Sequence, residues 1–160
     1  MADTGFHVFD ETLVSTVAWL DEVEAALGAD RQAAWHALGA VLRTLRDRVP
    51  VGLAAHLGAQ LPLLLRGAYY EAWHPTQPPE RMRSLGAFAE RIRAELPENS
   101  PVEPGEAMRA VFRVIAHRVD PGQVTKLVDV LPDELREVWR EVAVVRSKLA
   151  DAAGAENGAP

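Results

Sequence analysis

Glu71 and His74 have the side chains and the spacing of a pair of metal ligands, because residues three apart lie on one face of a helix. A carboxylate-bridged di-metal bundle needs a second pair of this kind. The chain resembles itself at an offset of 70 residues, as described below. At this offset the positions that match Glu71 and His74 are Glu141 and Val144, so the second pair lacks its histidine. The residues therefore predict a solvent-exposed helix end, with no metal site and no cofactor.

The other groups that could act in catalysis lack the neighbours that such chemistry requires. The chain has no cysteine, which excludes thiol nucleophiles and thiolate metal sites. None of its serines stands in a Gly-x-Ser-x-Gly elbow, and its glycines form neither a P-loop nor a dinucleotide-binding fingerprint. We therefore expect that the protein is not an enzyme.

The charge balance limits the classes of partner. The 160 residues carry 17 basic and 23 acidic side chains, a formal net charge of −6, which disfavours general nucleic-acid binding. No apolar run approaches the roughly 20 residues that cross a bilayer, and the first residues lack the pattern of a secretory signal. We expect a cytoplasmic protein without membrane contact. A local basic patch for nucleic acid remains the less favoured alternative, at Arg81, Arg83, Arg91 and Arg93.

A comparison of the chain with itself at an offset of 70 residues indicates an internal repeat. Residues 37–69 align with residues 107–139 without a gap, and twelve of the aligned pairs are identical. Both register and order persist over the whole alignment. The pattern therefore predicts a tandem duplication.

Apolar residues recur at three- and four-residue spacing in both segments, which predicts amphipathic helices. No segment combines β-branched alternation with hairpin turns. The predicted fold is all-α, with the duplicated helical unit forming a pseudo-symmetric bundle of about eight helices. We expect one domain over residues 1–151, with repeats at about 9–73 and 80–150. The prolines of 74–79 predict an extended linker, and the small polar residues of 152–160 predict a flexible tail.

Three pairs of arginines recur at the 70-residue offset. Their guanidinium groups could bind an anion or the carboxylates of a partner. Alternatively, each could cap a helix C-terminus or pair with an acidic residue of a neighbouring helix, and this structural interpretation is the one that we favour. The pairs are Arg43/Arg113, Arg48/Arg118 and Arg66/Arg136.

The segment 61–73 is apolar on almost all sides, whereas its repeat counterpart carries several charged residues. Tyrosine and tryptophan are enriched at protein interfaces, which makes the aromatic side chains of this segment candidate anchors for a partner. Burial within one chain is the alternative. The candidates are Tyr69, Tyr70, Trp73 and, at the repeat position of Tyr69, Trp139.

A family resemblance rests on two motifs of the repeats. Residues 57–67 read Leu-Gly-Ala-Gln-Leu-Pro-Leu-Leu-Leu-Arg-Gly and precede Tyr69-Tyr70-Glu71-x-Trp73, and residues 130–135 read Val-Leu-Pro-x-Glu-Leu. Over about Phe9 to Trp139, the chain resembles the bacterial family catalogued as domain of unknown function 2267. The resemblance implies a small helical prokaryotic protein and brings no catalytic residues.

Two functional hypotheses follow from these observations. The first is a non-enzymatic interaction or structural module that binds a protein partner or a second copy of the chain. The alternative is a protein that binds a small molecule or an anion in a pocket between the two repeats, near Arg66 and Arg136.

Overall fold

The structure, a computed structural model, describes residues 3–156 except for the side chains at 145–147, 150 and 156. This part of the chain forms eight α-helices and no strand, which confirms the predicted all-α fold. The helices are α1 (His7–Leu27), α2 (Arg31–Arg48), α3 (Val51–Ala59), α4 (Leu63–Tyr70), α5 (Leu85–Glu95), α6 (Pro104–Arg118), α7 (Pro121–Asp129) and α8 (Asp133–Glu156).

Side-chain caps fix the starts of several helices. The carboxylate of Asp30 accepts a hydrogen bond from the backbone N–H of Ala33, and Ser84 and Asp120 cap α5 and α7 in the same way. Such a cap satisfies one of the backbone donors that a helix N-terminus leaves without an intrahelical partner. These polar residues therefore define where the apolar helix faces begin.

Helix boundaries recur at the offset seen in the sequence. α3 and α7 begin at Val51 and Pro121, and α4 and α8 begin at Leu63 and Asp133. In both segments a valine in extended conformation ends the preceding helix, Val49 after α2 and Val119 after α6. The helices therefore follow one pattern twice, and the duplication that would explain this pattern stays a prediction.

The helices α2 and α6 lie at the centre of the bundle. They pack against each other, and each of them also contacts α1 and α5. Small residues of α2 such as Ala34, Ala37 and Ala40 are fully buried, which allows neighbouring helices to approach closely. Residues of both segments contribute to one hydrophobic core.

Two boundaries differ from those predicted. The apolar segment 61–73 predicts a helix that reaches about Trp73, but α4 ends at Tyr70, and Ala72 has a left-handed φ of 56° that changes the direction of the chain. The final helix α8 continues to Glu156 through residues expected to form a tail, because alanines favour helix. The rest of that expected tail, 157–160, lies outside the described residues.

No helix within residues 3–156 combines the length and the apolar character that crossing a membrane requires.

Candidate functional site

Tyr69 and Trp139, two of the candidate anchors, lie in the core of one chain. The hydroxyl of Tyr69 donates to the carbonyl oxygen of Ala54 over 2.6 Å, which joins α4 to α3. Burial raises the pKa of this phenol above its ordinary value. The indole of Trp139 stacks on Phe112 with ring centroids 4.3 Å apart. A partner could not reach either ring.

Tyr70 and Trp73 are half-buried and stack on each other, with ring centroids 5.3 Å apart. The hydroxyl of Tyr70 donates to the carbonyl oxygen of Ala55 over 3.3 Å. The ring of Tyr70 is therefore held against α3, while Trp73 lies at the start of the segment that connects α4 to α5.

The structure places Arg66 in a capping role. Its guanidinium donates to the carbonyl oxygens of Gly58, Leu61 and Ala59 over 2.9, 3.0 and 3.3 Å, respectively. These carbonyl groups lie at or just beyond the C-terminus of α3, where helical partners are missing. Arg136 instead pairs with Asp133 over 2.7 Å, three residues earlier on α8.

A cleft lies between α2, the segment after α4, and α5. Its volume is about 460 Å³, and neither Arg66 nor Arg136 lines it. It therefore lies at the junction of the two segments but away from the arginines that we had associated with a pocket. The charged groups of its wall are Arg43, Arg46, Asp47, Glu71, Glu80, Arg91 and Glu95.

Arg46 is a buried cation at the base of this wall. One of its terminal nitrogens donates to the carbonyl oxygens of Tyr69 and Glu71 over 2.7 and 2.8 Å. Its Nε donates to the carboxylate of Asp47 over 2.8 Å. The buried charge is thus compensated by an adjacent carboxylate, and Arg46 also satisfies backbone acceptors at the end of α4.

Arg91 connects three carboxylates. It donates to Asp47 of α2 over 3.1 Å, to Glu80 of the connecting segment over 3.1 Å, and to Glu95 of its own helix over 2.7 Å. Glu95 also accepts from Arg43 over 3.0 Å. Burial of Glu95 opposes ionisation, but hydrogen bonds from Arg91 and Arg43 outweigh it and hold the pKa of this carboxyl below its ordinary value.

Three polar side chains of the cleft, those of Glu71, His74 and Gln77, have no hydrogen-bond or ion-pair partner within the described residues. Glu71 and His74 are exposed at the rim, on either side of Trp73. Three carboxylates neutralise the three arginines, so Glu71 leaves the lining with a surplus negative charge when His74 is neutral.

A second feature is an apolar surface at the starts of α1 and α4, which we call the apolar patch. The ring centroids of Phe6 and Phe9 lie 5.3 Å apart. The backbone N–H of Leu64 donates to the hydroxyl of Thr12 over 3.0 Å, which places the start of α4 beside α1. The patch comprises Phe6, Val8, Phe9, Leu63 and Leu64, with exposed fractions of 63, 53, 52, 54 and 48%, respectively.

The arginines considered for nucleic acid do not form a free basic strip. Arg91 is committed to the three carboxylates of the cleft, and Arg93 lies 3.6 Å from Glu90. Arg81 and Arg83 are exposed on either side of the buried Met82.

Within residues 3–156, no cluster of three histidine, aspartate or glutamate side chains could hold a metal ion.

Sequence reasoning missed Arg46 and the apolar patch. Arg46 aligns with Ala116 in the predicted repeat, so a charged residue at a position where the other segment has an alanine was a signal that could have identified it. Phe6 and Phe9 stand at the edge of the repeat, where the alignment gave no information.

Residues 16–138 match a protein family described as an uncharacterized conserved protein, DUF2267. A comparison with curated proteins gives no match.

Proposed function

The chain belongs to the DUF2267 family of uncharacterized conserved proteins, and we propose that it is a non-enzymatic interaction module. In this proposal, its apolar patch binds a basic amphipathic segment of a partner protein. The observation that carries the proposal is the concentration of five exposed large apolar side chains at the starts of α1 and α4. Several exposed large apolar side chains near one another are typical of interaction sites.

The patch continues a helix face that is buried elsewhere. Thr16, Trp19 and Val23 of α1 are buried at three- and four-residue spacing. Phe9 lies seven residues before Thr16 and therefore on the same face, but beyond the point where the bundle covers it. A partner that covered Phe9 and Leu64 would extend the packing that the core begins.

The charges around the patch favour a basic partner. The chain has no lysine or arginine before Arg31, and α3 has none either. Asp10 accepts hydrogen bonds from Thr4, and Glu11 lies 3.7 Å from His7. Neither carboxylate has a lysine or arginine partner within the described residues. A segment with lysines or arginines flanking an apolar face would neutralise both.

A second copy of the chain fits this surface less well. In a two-fold dimer the same patch of both subunits meets itself. Asp10 and Glu11 of one copy would then approach the same residues of the other, and like charges at an interface oppose association.

The experiment is a binding titration of the full chain with a fluorescently labelled amphipathic helical peptide of leucine and lysine. The wild-type protein should bind it, and added salt should weaken the complex because charge attraction contributes. Leu64→Glu should raise the Kd by at least about tenfold, because it places a charge in the apolar contact.

The matched control is Leu149→Glu, since Leu149 is 62% exposed on α8 and lies outside the patch. This variant should bind like the wild type. Equal binding by Leu64→Glu, or equal binding of a leucine–glutamate peptide, would contradict the proposal. A sedimenting dimer that Leu64→Glu converts to a monomer would assign the patch to a second copy and also overturn it.

A further inference from the structure

We propose that the cleft between α2, the α4–α5 connecting segment and α5 binds a small zwitterion, a molecule with one ammonium and one carboxylate group. This site is separate from the apolar patch, so the inference does not depend on the interaction module. The cleft has the volume of a ligand site, apolar residues in its walls, and polar groups that have no partner within the described residues.

The volume suits a small molecule. A cleft of about 460 Å³ falls within the range of roughly 300–1,000 Å³ that is usual for ligand sites. Its wall combines apolar surface from Val49, Val51, Pro78 and Pro79 with the indole of Trp73. An apolar or aromatic body could therefore be enclosed beside the charged groups.

The arginines retain unused donors. A guanidinium has five N–H groups, and Arg91 uses one N–H of each of its three nitrogens for Glu80, Glu95 and Asp47. Arg43 commits its Nε to Glu95, and its contact with the carbonyl of Ala68 is long at 3.5 Å. Both side chains line the cleft with N–H groups that have no described acceptor. A ligand carboxylate could accept from them.

The unpaired acidic group of the cleft belongs to Glu71, whose backbone carbonyl oxygen accepts from Arg46. Glu71 has an exposed carboxylate without a described partner, and Trp73 and His74 follow it along the chain. Since the remaining charges of the lining balance, an ammonium group would meet the surplus carboxylate of Glu71. The indole face of Trp73 would add a cation–π attraction.

A ligand with both charges fits this arrangement better than one with a single charge. An anion alone would engage the arginines but face the surplus carboxylate, and a cation alone would leave the free guanidinium donors unmatched. Amino acids with an apolar or aromatic side chain have the required groups on one small body.

The test uses L-phenylalanine as the probe, with phenethylamine and hydrocinnamate as analogues that lack the carboxylate and the ammonium group, respectively. Isothermal titration of the full chain should give saturable binding of phenylalanine. Each analogue should bind at least about tenfold more weakly, since each loses one charge-assisted contact.

Two variants and a control locate the site. Glu71→Gln should weaken phenylalanine binding by about threefold to tenfold, whereas hydrocinnamate should bind at least as tightly as to the wild type, because the variant removes the negative charge that this anion faces. Arg43→Gln should weaken both, and circular dichroism would verify that it folds. Glu98→Gln is the control, because Glu98 is exposed and lies outside the cleft lining.

Several results would contradict the proposal, and each can be recognised by a different measurement. Absence of saturable binding would overturn the proposal, as would either analogue binding as tightly as phenylalanine. Equal losses in Glu71→Gln and Glu98→Gln would show that general charge, not this cleft, determines binding. Leu64→Glu should bind phenylalanine like the wild type, so failure of the interaction module leaves this test intact.

Discussion

Arg91 of α5 donates to Asp47 of α2 across 3.1 Å, and this carboxylate also holds the buried Arg46. The two residues are far apart in the chain and belong to different halves of the predicted repeat. Their contact therefore connects the halves through charge in addition to the shared apolar core. The carboxylate of Asp47 therefore accepts hydrogen bonds from two guanidinium groups.

We expect Arg46→Met to destabilise the protein by about 2–4 kcal/mol, because it removes a buried cation with several hydrogen bonds. The carbonyl groups of Tyr69 and Glu71 would lose their donor, and Asp47 would lose its nearest positive partner. Urea denaturation measures the change. Arg140→Met is the control, since Arg140 is exposed on α8 and pairs only with Glu137 among the described residues. A similar effect of both variants would contradict the role of Arg46.

The helices could be predicted from the sequence because their signals are local. Asp30, Ser84 and Asp120 mark helix starts within three residues of the backbone groups that they cap. The partners of Arg46 at Tyr69 and Glu71 follow it by 23 and 25 residues, and no local pattern indicates which carbonyl groups it will meet. The cleft therefore depends on how α4 and α5 pack against α2, which helix periodicity does not determine.

The apolar patch escaped prediction for a related reason. The spacing of Phe9, Thr16 and Val23 predicts one helix face but not how far the bundle covers it. Coverage depends on where α4 begins, and the contact between Leu64 and Thr12 sets that position. Conversely, Tyr69 was a candidate anchor because its apolar helix could face inward or outward, and only the packing of α4 against α3 decides this.

The hydrogen bonds to Glu95 predict a defined pH dependence. Its folded-state pKa is lowered, so its contribution to stability is present above the unfolded-state pKa and is lost as the pH falls through the folded-state value. We expect Glu95→Gln to cost about 1 kcal/mol near pH 7. The difference from the wild type should shrink as the pH falls below about 4.3, the usual pKa of glutamate.

Urea denaturation across this pH range checks the expectation, with Glu98→Gln as the exposed control. A difference between wild type and Glu95→Gln that stays constant down to about pH 3 would contradict it, because the carboxylate would then contribute no pH-dependent stability.

Close packing of α4 on α3 predicts that Gly58→Ala destabilises the protein. A Cβ at this position would collide with the hydroxyl of Tyr70 and lie 3.0 Å from the ring of Tyr69. The ring of Tyr69 is fully buried and its hydroxyl donates a hydrogen bond to the carbonyl oxygen of Ala54, so the ring cannot easily move away from the added Cβ. We expect a loss of about 1–3 kcal/mol, as is usual for overpacked cores. Thermal and urea denaturation would measure it.

A matched substitution on α4 separates this clash from the general effect of replacing a helical glycine. Gly67 has open space around its would-be Cβ, so Gly67→Ala should stabilise the protein by about 0.5–1 kcal/mol through helix propensity. Adding Tyr70→Phe to Gly58→Ala should restore part of the loss, because it removes the hydroxyl while the contacts with the ring of residue 70 and with Tyr69 persist. If Gly58→Ala proves as stable as Gly67→Ala, then α3 and α4 are not packed as closely as the structure places them.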